Sequence, residues 1–118
     1  MQYLCLIYDD EKLIDDLSPT ERGAFLGAYG TFTREIKASG HFVAGDALQP
    51  VATATTVRVR DGKVTTTDGP FAETREQLGG YYLIEAKDLD EALKIAARIP
   101  RARTGSIEVR PIRVYPSL

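Results

Sequence analysis

The side chains of this chain best placed to do chemistry gather in one short run, Asp68-Gly69-Pro70-Phe71-Ala72-Glu73-Thr74-Arg75-Glu76. Asp-Gly-Pro is first of all a turn. An Asp in a turn usually accepts a hydrogen bond from the N–H two residues on. Here that residue is Pro70, which has no N–H. The Asp68 carboxylate must turn to another donor, such as the Phe71 N–H, or stay free beside a glycine where a ligand can come close. Glu73 and Glu76 are three apart. On a helical turn they would share a face, and clustered carboxylates raise one another's pKa toward general acid–base use. Asp68, Glu73 and Glu76 are therefore the catalytic candidates. The plainer reading leaves both glutamates solvated or paired with Arg75 and its neighbours. Phe71 reads first as a core anchor. In a ligand-binding reading, Phe71 and Tyr82 supply the apolar walls of a pocket.

Outside that run, His41 and Asp46 are the remaining ligand-binding candidates. His41 is the only histidine and titrates near neutrality, although a histidine at a strand start is usually a hydrogen-bonded edge residue. Zinc normally wants three or four N or S ligands, so the pair predicts no metal site. Cys5, the only cysteine, sits in the apolar run Tyr3-Leu4-Cys5-Leu6-Ile7-Tyr8 and reads as a core residue. Arg98, Arg101 and Arg103 suit the end of a helix. With Arg110 and Arg113 they also offer a sharper reading, anion binding. No P-loop, dinucleotide glycine fingerprint, nucleophile elbow or Cys-x-x-Cys is present. No cofactor is expected.

Local signals set the elements that must position these groups. The run to Tyr8 predicts a strand buried on both faces and hence central, followed by an acidic loop from Asp9 to Asp16. Ser18-Pro19-Thr20-Glu21 is a capping box with Pro at the first helical position. Phe25, Tyr29, Phe32 and Ile36 then recur at helical spacing up to a Gly40 cap. Gly23, Gly27 and Gly30 lie on one face of this helix, which suggests a close approach to the sheet or to a partner. A strand from His41 to Leu48 ends at Pro50. Thr53–Arg60 and Val64–Thr67 flank an Asp61-Gly62 hairpin turn, with Val57 and Val59 on one face. Gly79 to Glu85 is a strong strand. Asp88 caps a second helix that Pro100 stops. The last strand, Ser106 to Tyr115, flips its apolar parity at Pro111, predicting a bulge or bend at Arg110-Pro111.

The resulting order is β-α-β, a hairpin insertion, then β-α-β. It predicts one α+β domain over residues 1–118, a ferredoxin-like split βαβ with both helices on one face of the sheet. With 118 residues and 43% hydrophobic content, there is one modest core, burying only about two-thirds of the unfolded surface. Tyr and Leu in the central strands make a bare second face costly, so two copies are expected to pack sheet to sheet as a homodimer. A net charge of −2 gives no pull toward nucleic acid or anionic membrane. The aromatic Lys/Arg-Gly-Phe strand motif of RNA-binding sheets is missing. No run approaches the roughly 20 apolar residues of a membrane span, and no signal peptide is visible. A cytoplasmic location is expected.

Asp68–Glu76 followed by Gln77-Leu78-Gly79-Gly80-Tyr81-Tyr82 resembles the signature of the DGPF branch of the YCII-related family. That family usually has Lys where Arg75 stands. Further similarity runs through Tyr3–Tyr8, Leu48-Gln49-Pro50, Ala54–Val59, Asp88–Pro100 and Ile107–Pro111. The resemblance implies a dimeric α+β barrel. The wider family is proposed to use a His–Asp pair with the His in the first helix, but Arg22-Gly23-Ala24-Phe25-Leu26-Gly27-Ala28-Tyr29 contains none. Some members resemble proteins encoded beside extracytoplasmic-function sigma factors. Two functions follow as expectations. One is small-molecule binding with acid–base or lyase-like chemistry by the motif carboxylates; the other is a non-catalytic dimeric module linked to transcription regulation.

Overall fold

The computed structural model describes residues 1–117. Its elements in chain order are β1 (Gln2–Asp9), α1 (Glu11–Asp15), α2 (Pro19–Ala38), β2 (Phe42–Ala47), β3 (Thr55–Arg60), β4 (Lys63–Asp68), β5 (Gln77–Glu85), α3 (Leu89–Ala96) and β6 (Ser106–Pro111). Short 3-10 turns occupy Val51–Thr53 and Pro100–Arg103. Four strands form one antiparallel sheet in the order β2-β5-β1-β6, and β3 and β4 pair only with each other. This is the ferredoxin-like arrangement with a hairpin inserted between its halves.

Strand alternation sorts the side chains. Tyr3, Cys5 and Ile7 of β1 and Tyr82 and Ile84 of β5 turn toward α2 and α3, where Phe32, Ile36, Ala92, Ile95, Ala96 and Ile99 close the core. Burial pushes the Cys5 thiol up to about 11, as befits a core residue rather than a nucleophile. Leu4, Leu6, Tyr8, Leu78 and Leu83 lie on the reverse face, which no helix covers, and are only half-buried. β1 is thus central, but within one chain only one of its faces is closed.

Several boundaries follow local chemistry. Ser18 accepts from the Glu21 N–H at 3.2 Å and Glu21 accepts from the Ser18 N–H at 2.9 Å, completing the capping box on α2. Those bonds hold the Glu21 carboxyl below its usual range, the Ser18 backbone N–H being the main cause. A carboxyl depressed in the folded state stabilises the fold above its unfolded pKa, and that contribution is lost as pH falls through the folded value. Ser18→Ala should cost about 1 kcal/mol at neutral pH. Glu21→Gln should flatten part of the acid-side fall in Tm below about pH 4.5, a difference that thermal melts at pH 7 and pH 3 would read out. At the hairpin turn, Asp61 and Gly62 take φ of 53° and 74°, the left-handed pair of a type I′ turn.

Other expectations need correction. Asp9–Asp16 is not a plain loop: Asp10 accepts from the Lys12 N–H at 2.9 Å and caps α1. No bulge occurs at Arg110-Pro111. Those residues pair regularly with Leu4 and Tyr3, and β6 ends there. As an edge strand it tolerates a proline without an N–H, so the parity change falls outside the sheet. Bulges instead lie where Tyr8 pairs with Leu78 while Ile7 pairs with Gly80, and at Val43 in β2. A Cβ on Gly23 or Gly27 would meet nothing within 4 Å, so these glycines do not bring α2 close to the sheet.

The hairpin stands away from the body. The radius of gyration is 16.4 Å, against about 13–14 Å for a compact chain of this length, and the molecule is a plate of 48 × 47 × 19 Å. Val57, Val59 and Val64 share one face of the hairpin by alternation and are all exposed, Val64 by 68%. A lone two-stranded ribbon is marginal in water, so this apolar stripe is a surface without its cover.

Candidate functional site

β4 ends at Asp68, and the motif leaves it through Gly69 with φ +99°. The Gly69 N–H donates to the Ala54 carbonyl at 2.7 Å, and the Thr56 hydroxyl donates to the Gly69 carbonyl at 2.9 Å. This pins the turn to the base of β3. The Asp68 carboxylate is exposed and makes no hydrogen bond or ion pair among the described residues, so the missing Pro70 N–H leaves it free.

Pro70 to Glu76 forms bends, not a helical turn. Glu73 and Glu76 therefore do not share a helix face. Glu76 accepts from the Ser106 hydroxyl at 2.7 Å at the start of β6, whereas Glu73 is exposed. The three motif carboxylates do not converge. Phe71 is 80% exposed and so is no core anchor within one chain.

A wide cleft of about 820 Å³ lies beside the motif, with Tyr8, Pro50, Val51, Pro70, Phe71 and Glu73 among its walls. Asp68 and Glu76 do not line it. Half of its polar side chains are already engaged. Gln77 donates to the Thr74 carbonyl and accepts from the Glu11 N–H, while Thr53 donates to the Pro50 carbonyl. What remains is largely an apolar hollow on the uncovered side of the sheet.

The second cavity, about 370 Å³, lies on the helix side, between α2 and the end of the sheet where β2 meets β5. Its floor exists because side chains are missing there: Gly45, Ala47, Gly79 and Gly80 leave a hollow under α2. Gly45 and Gly80 are required by close approach. A Cβ on Gly80 would stand 2.8 Å from the Asp46 carbonyl oxygen, and one on Gly45 2.8 Å from Cδ1 of Tyr82. Phe25, Tyr29, Phe42 and Tyr82 form aromatic walls. Tyr82 also packs edge-on against Phe32, its hydroxyl 2.7 Å from that of Thr33.

α3 ends at Ala96, short of the expected stop at Pro100, which instead starts the turn that carries Arg101 over this cavity. The Arg101 guanidinium stacks 4.8 Å from the Phe25 ring centre and comes within 3.5 Å of where a Gly79 Cβ would lie. The Tyr29 hydroxyl is buried in the same region and makes no well-formed hydrogen bond among the described residues. Burial pushes its pKa up to about 12, against the opposing charge of Arg101 and the Arg101 backbone and guanidinium N–H groups near the hydroxyl oxygen, so it remains a protonated donor. Those groups can only donate, and its hydrogen has no acceptor among the described residues. An unpaired buried hydroxyl costs about 1–3 kcal/mol. Tyr29→Phe should therefore leave the ligand-free protein as stable as the parent, or raise its stability by about 1 kcal/mol, as read by urea denaturation. A loss of that size would mean that the hydroxyl has an internal partner.

Of the sequence candidates, Asp46 and Tyr82 line the helix-side cavity, and Phe71 and Glu73 line the wide cleft. Alternation turns the Asp46 side chain to the reverse face, where it accepts from the Tyr81 hydroxyl at 2.7 Å. That bond is the main reason the Tyr81 pKa is raised. His41 lines neither cavity. Its Nδ1 is 2.7 Å from the Ser39 hydroxyl and its Nε2 3.1 Å from Glu91, tying β2 to the start of α3. Among the described residues no cluster of three or more His, Cys, Asp or Glu could hold a metal. Sequence reasoning missed Tyr29, Thr33 and Lys37 as site residues and raised Arg101 only as one of five arginines offered for anion binding. The signal was present: Tyr29, Thr33 and Lys37 recur every four residues, a polar rib beside the apolar stripe of α2.

Comparison with known proteins fits this fold. An uncharacterized protein of Rhizobium meliloti (strain 1021) is 38% identical over 117 residues, 98% of this chain and 94% of that one. The solved 5-chloro-2-hydroxyhydroquinone dehydrochlorinase of Burkholderia phenoliruptrix AC1100, in complex with 2,5-dihydroxybenzoquinone, superposes with a TM-score of 0.53. The match covers 96% of this chain and 94% of that one at 16% identity, a likeness of fold. The family model for the YCII-related domain matches residues 1–115, and the chain belongs to that family.

Proposed function

We propose that this protein binds a small organic molecule in the helix-side cavity and does so as a homodimer closed across the uncovered face of its sheet. The carrying observation is the buried Tyr29 hydroxyl, a donor with no acceptor among the described residues, beside a 370 Å³ cavity. Native interiors rarely leave such a group unmatched, and a ligand acceptor would satisfy it. The cavity falls in the usual size range for small-molecule sites, about 300–1,000 Å³, with mostly apolar walls and a few polar groups. A solved protein of the same fold is titled as an enzyme in complex with a small quinone, a precedent for the class of ligand. Among the described residues no helix is long and apolar enough to cross a membrane. Neither the fold nor the relatives support the transcription-linked reading.

Acid–base chemistry by the motif is the second reading, favoured by the place of Glu73 on the wide cleft beside Gly69 and Phe71. A fragment screen by protein-observed NMR separates the two. Shifts clustering on Tyr29, Thr33, Gly45 and Gly80, and abolished by filling the floor with Ala47→Trp, support the helix-side site. Shifts confined to Gly69–Thr74 and sensitive to Glu73→Gln would move the function to the cleft.

A further inference from the structure

We propose that the ligand of the helix-side cavity is a small single-ring aromatic anion, its negative oxygen held by Arg101 and the Tyr29 hydroxyl. This rests on the reading of that cavity as the binding site and names the class of molecule it selects.

Charge decides the class. Asp46 is the only acidic residue on the cavity wall, and alternation sends its carboxylate through the sheet to Tyr81 on the other face. The charged side chains left on the helix side are Lys37 and Arg101, both positive. Neither has an acidic partner: the ion pairs among the described residues use Met1, His41, Arg98 and Arg110. Each lies instead against an aromatic ring, Lys37 at 4.8 Å from the centre of Phe42 and Arg101 at 4.8 Å from that of Phe25. An arginine stacked on a ring keeps its planar fork of donors free for a carboxylate or a similar oxyanion.

The Tyr29 hydroxyl adds a neutral donor that can only improve its position by meeting an acceptor. The body of the ligand is set by the walls. Four aromatic rings over a glycine and alanine floor favour a flat apolar ring, and 370 Å³ lies near the small end of ligand sites.

The test compares benzoate with benzamide, equal in shape but different in charge, by isothermal titration and NMR. The parent should bind benzoate at least about tenfold more tightly than benzamide, the scale of a charge-assisted hydrogen bond. Arg101→Gln should remove most of that preference, weakening benzoate far more than benzamide. Arg101→Lys should restore part of it, and Tyr29→Phe should weaken benzoate several-fold. Melting curves confirm that each variant folds. Equal binding of the two probes, or a preference that survives Arg101→Gln, overturns the anion class while leaving the cavity a binding site. If neither probe binds, the aromatic-anion class is overturned, whatever the fragment screen returns.

Discussion

Gly105→Ala should be among the most destabilising single-methyl changes in this protein, lowering stability by about 3 kcal/mol and Tm by on the order of 10–15 °C. Gly105 links the Pro100–Arg103 turn to β6, and its N–H donates to the Arg101 carbonyl at 2.7 Å. A Cβ there would fall well inside contact distance of the Tyr8 carbonyl oxygen, 2.9 Å from Cγ of Asp9 and 3.0 Å from its Cα. Two of those three neighbours are backbone, in a central strand that cannot give way cheaply. The third belongs to Asp9, the one buried charged residue at 4% exposure, whose carboxylate accepts from the Thr104 hydroxyl at 2.7 Å and the Asp10 N–H at 2.8 Å. Displacing it would leave a buried charge short of donors. The same turn carries Arg101, so the variant should also weaken ligand binding. Denaturant and thermal melts decide the matter. A variant that melts within about 2 °C of the parent, a few tenths of a kcal/mol, would show that the β1–β6 junction is looser than these distances indicate.

The second large effect comes from two adjacent residues of β5 that should fail in different ways. Ile84 is fully buried between the sheet and the helices, and Ile84→Ala should cost about 2–5 kcal/mol by transfer and cavity terms. That is a large share of a typical total of about 5–15 kcal/mol. Leu83 points the other way, onto the half-buried face with Leu4 and Leu6. Leu83→Arg should change the stability of one chain little, within roughly 0.5 kcal/mol. It should still abolish self-association, because a charge sealed between two sheets has no partner. Light scattering should give twice the chain mass for the parent and the single-chain mass for Leu83→Arg. A parent that already runs as a monomer, or a Leu83→Arg variant that stays paired, would remove the sheet-to-sheet dimer. In the proposed dimer, the exposed Val57, Val59 and Val64 stripe and Phe71 are the surfaces still to be covered.

The sequence by itself determined most of the elements, because their signals are local; the short α1 and the end of β6 escaped it. A capping box and an Asp-Gly turn each act within four residues and are seen where the pattern puts them; the second helix ends at Ala96, before the proline expected to stop it. Alternation and element order then led to the ferredoxin-like sheet. The motif was legible too: the missing N–H of Pro70 predicted that Asp68 could be left free, and it is. What only the tertiary structure decided is what these groups face. Asp68, Glu73 and Glu76 are close in sequence, but the chain bends through Pro70–Glu76 and they diverge. His41 is claimed by Ser39 and Glu91, a residue 50 positions away. The cavity is made by glycines on two strands beneath a helix and an arginine from a third segment. No short window holds more than one part of it. Its orphaned hydroxyl is defined by the absence of a neighbour, and pairing in space, not order along the chain, decides which polar groups go unmatched.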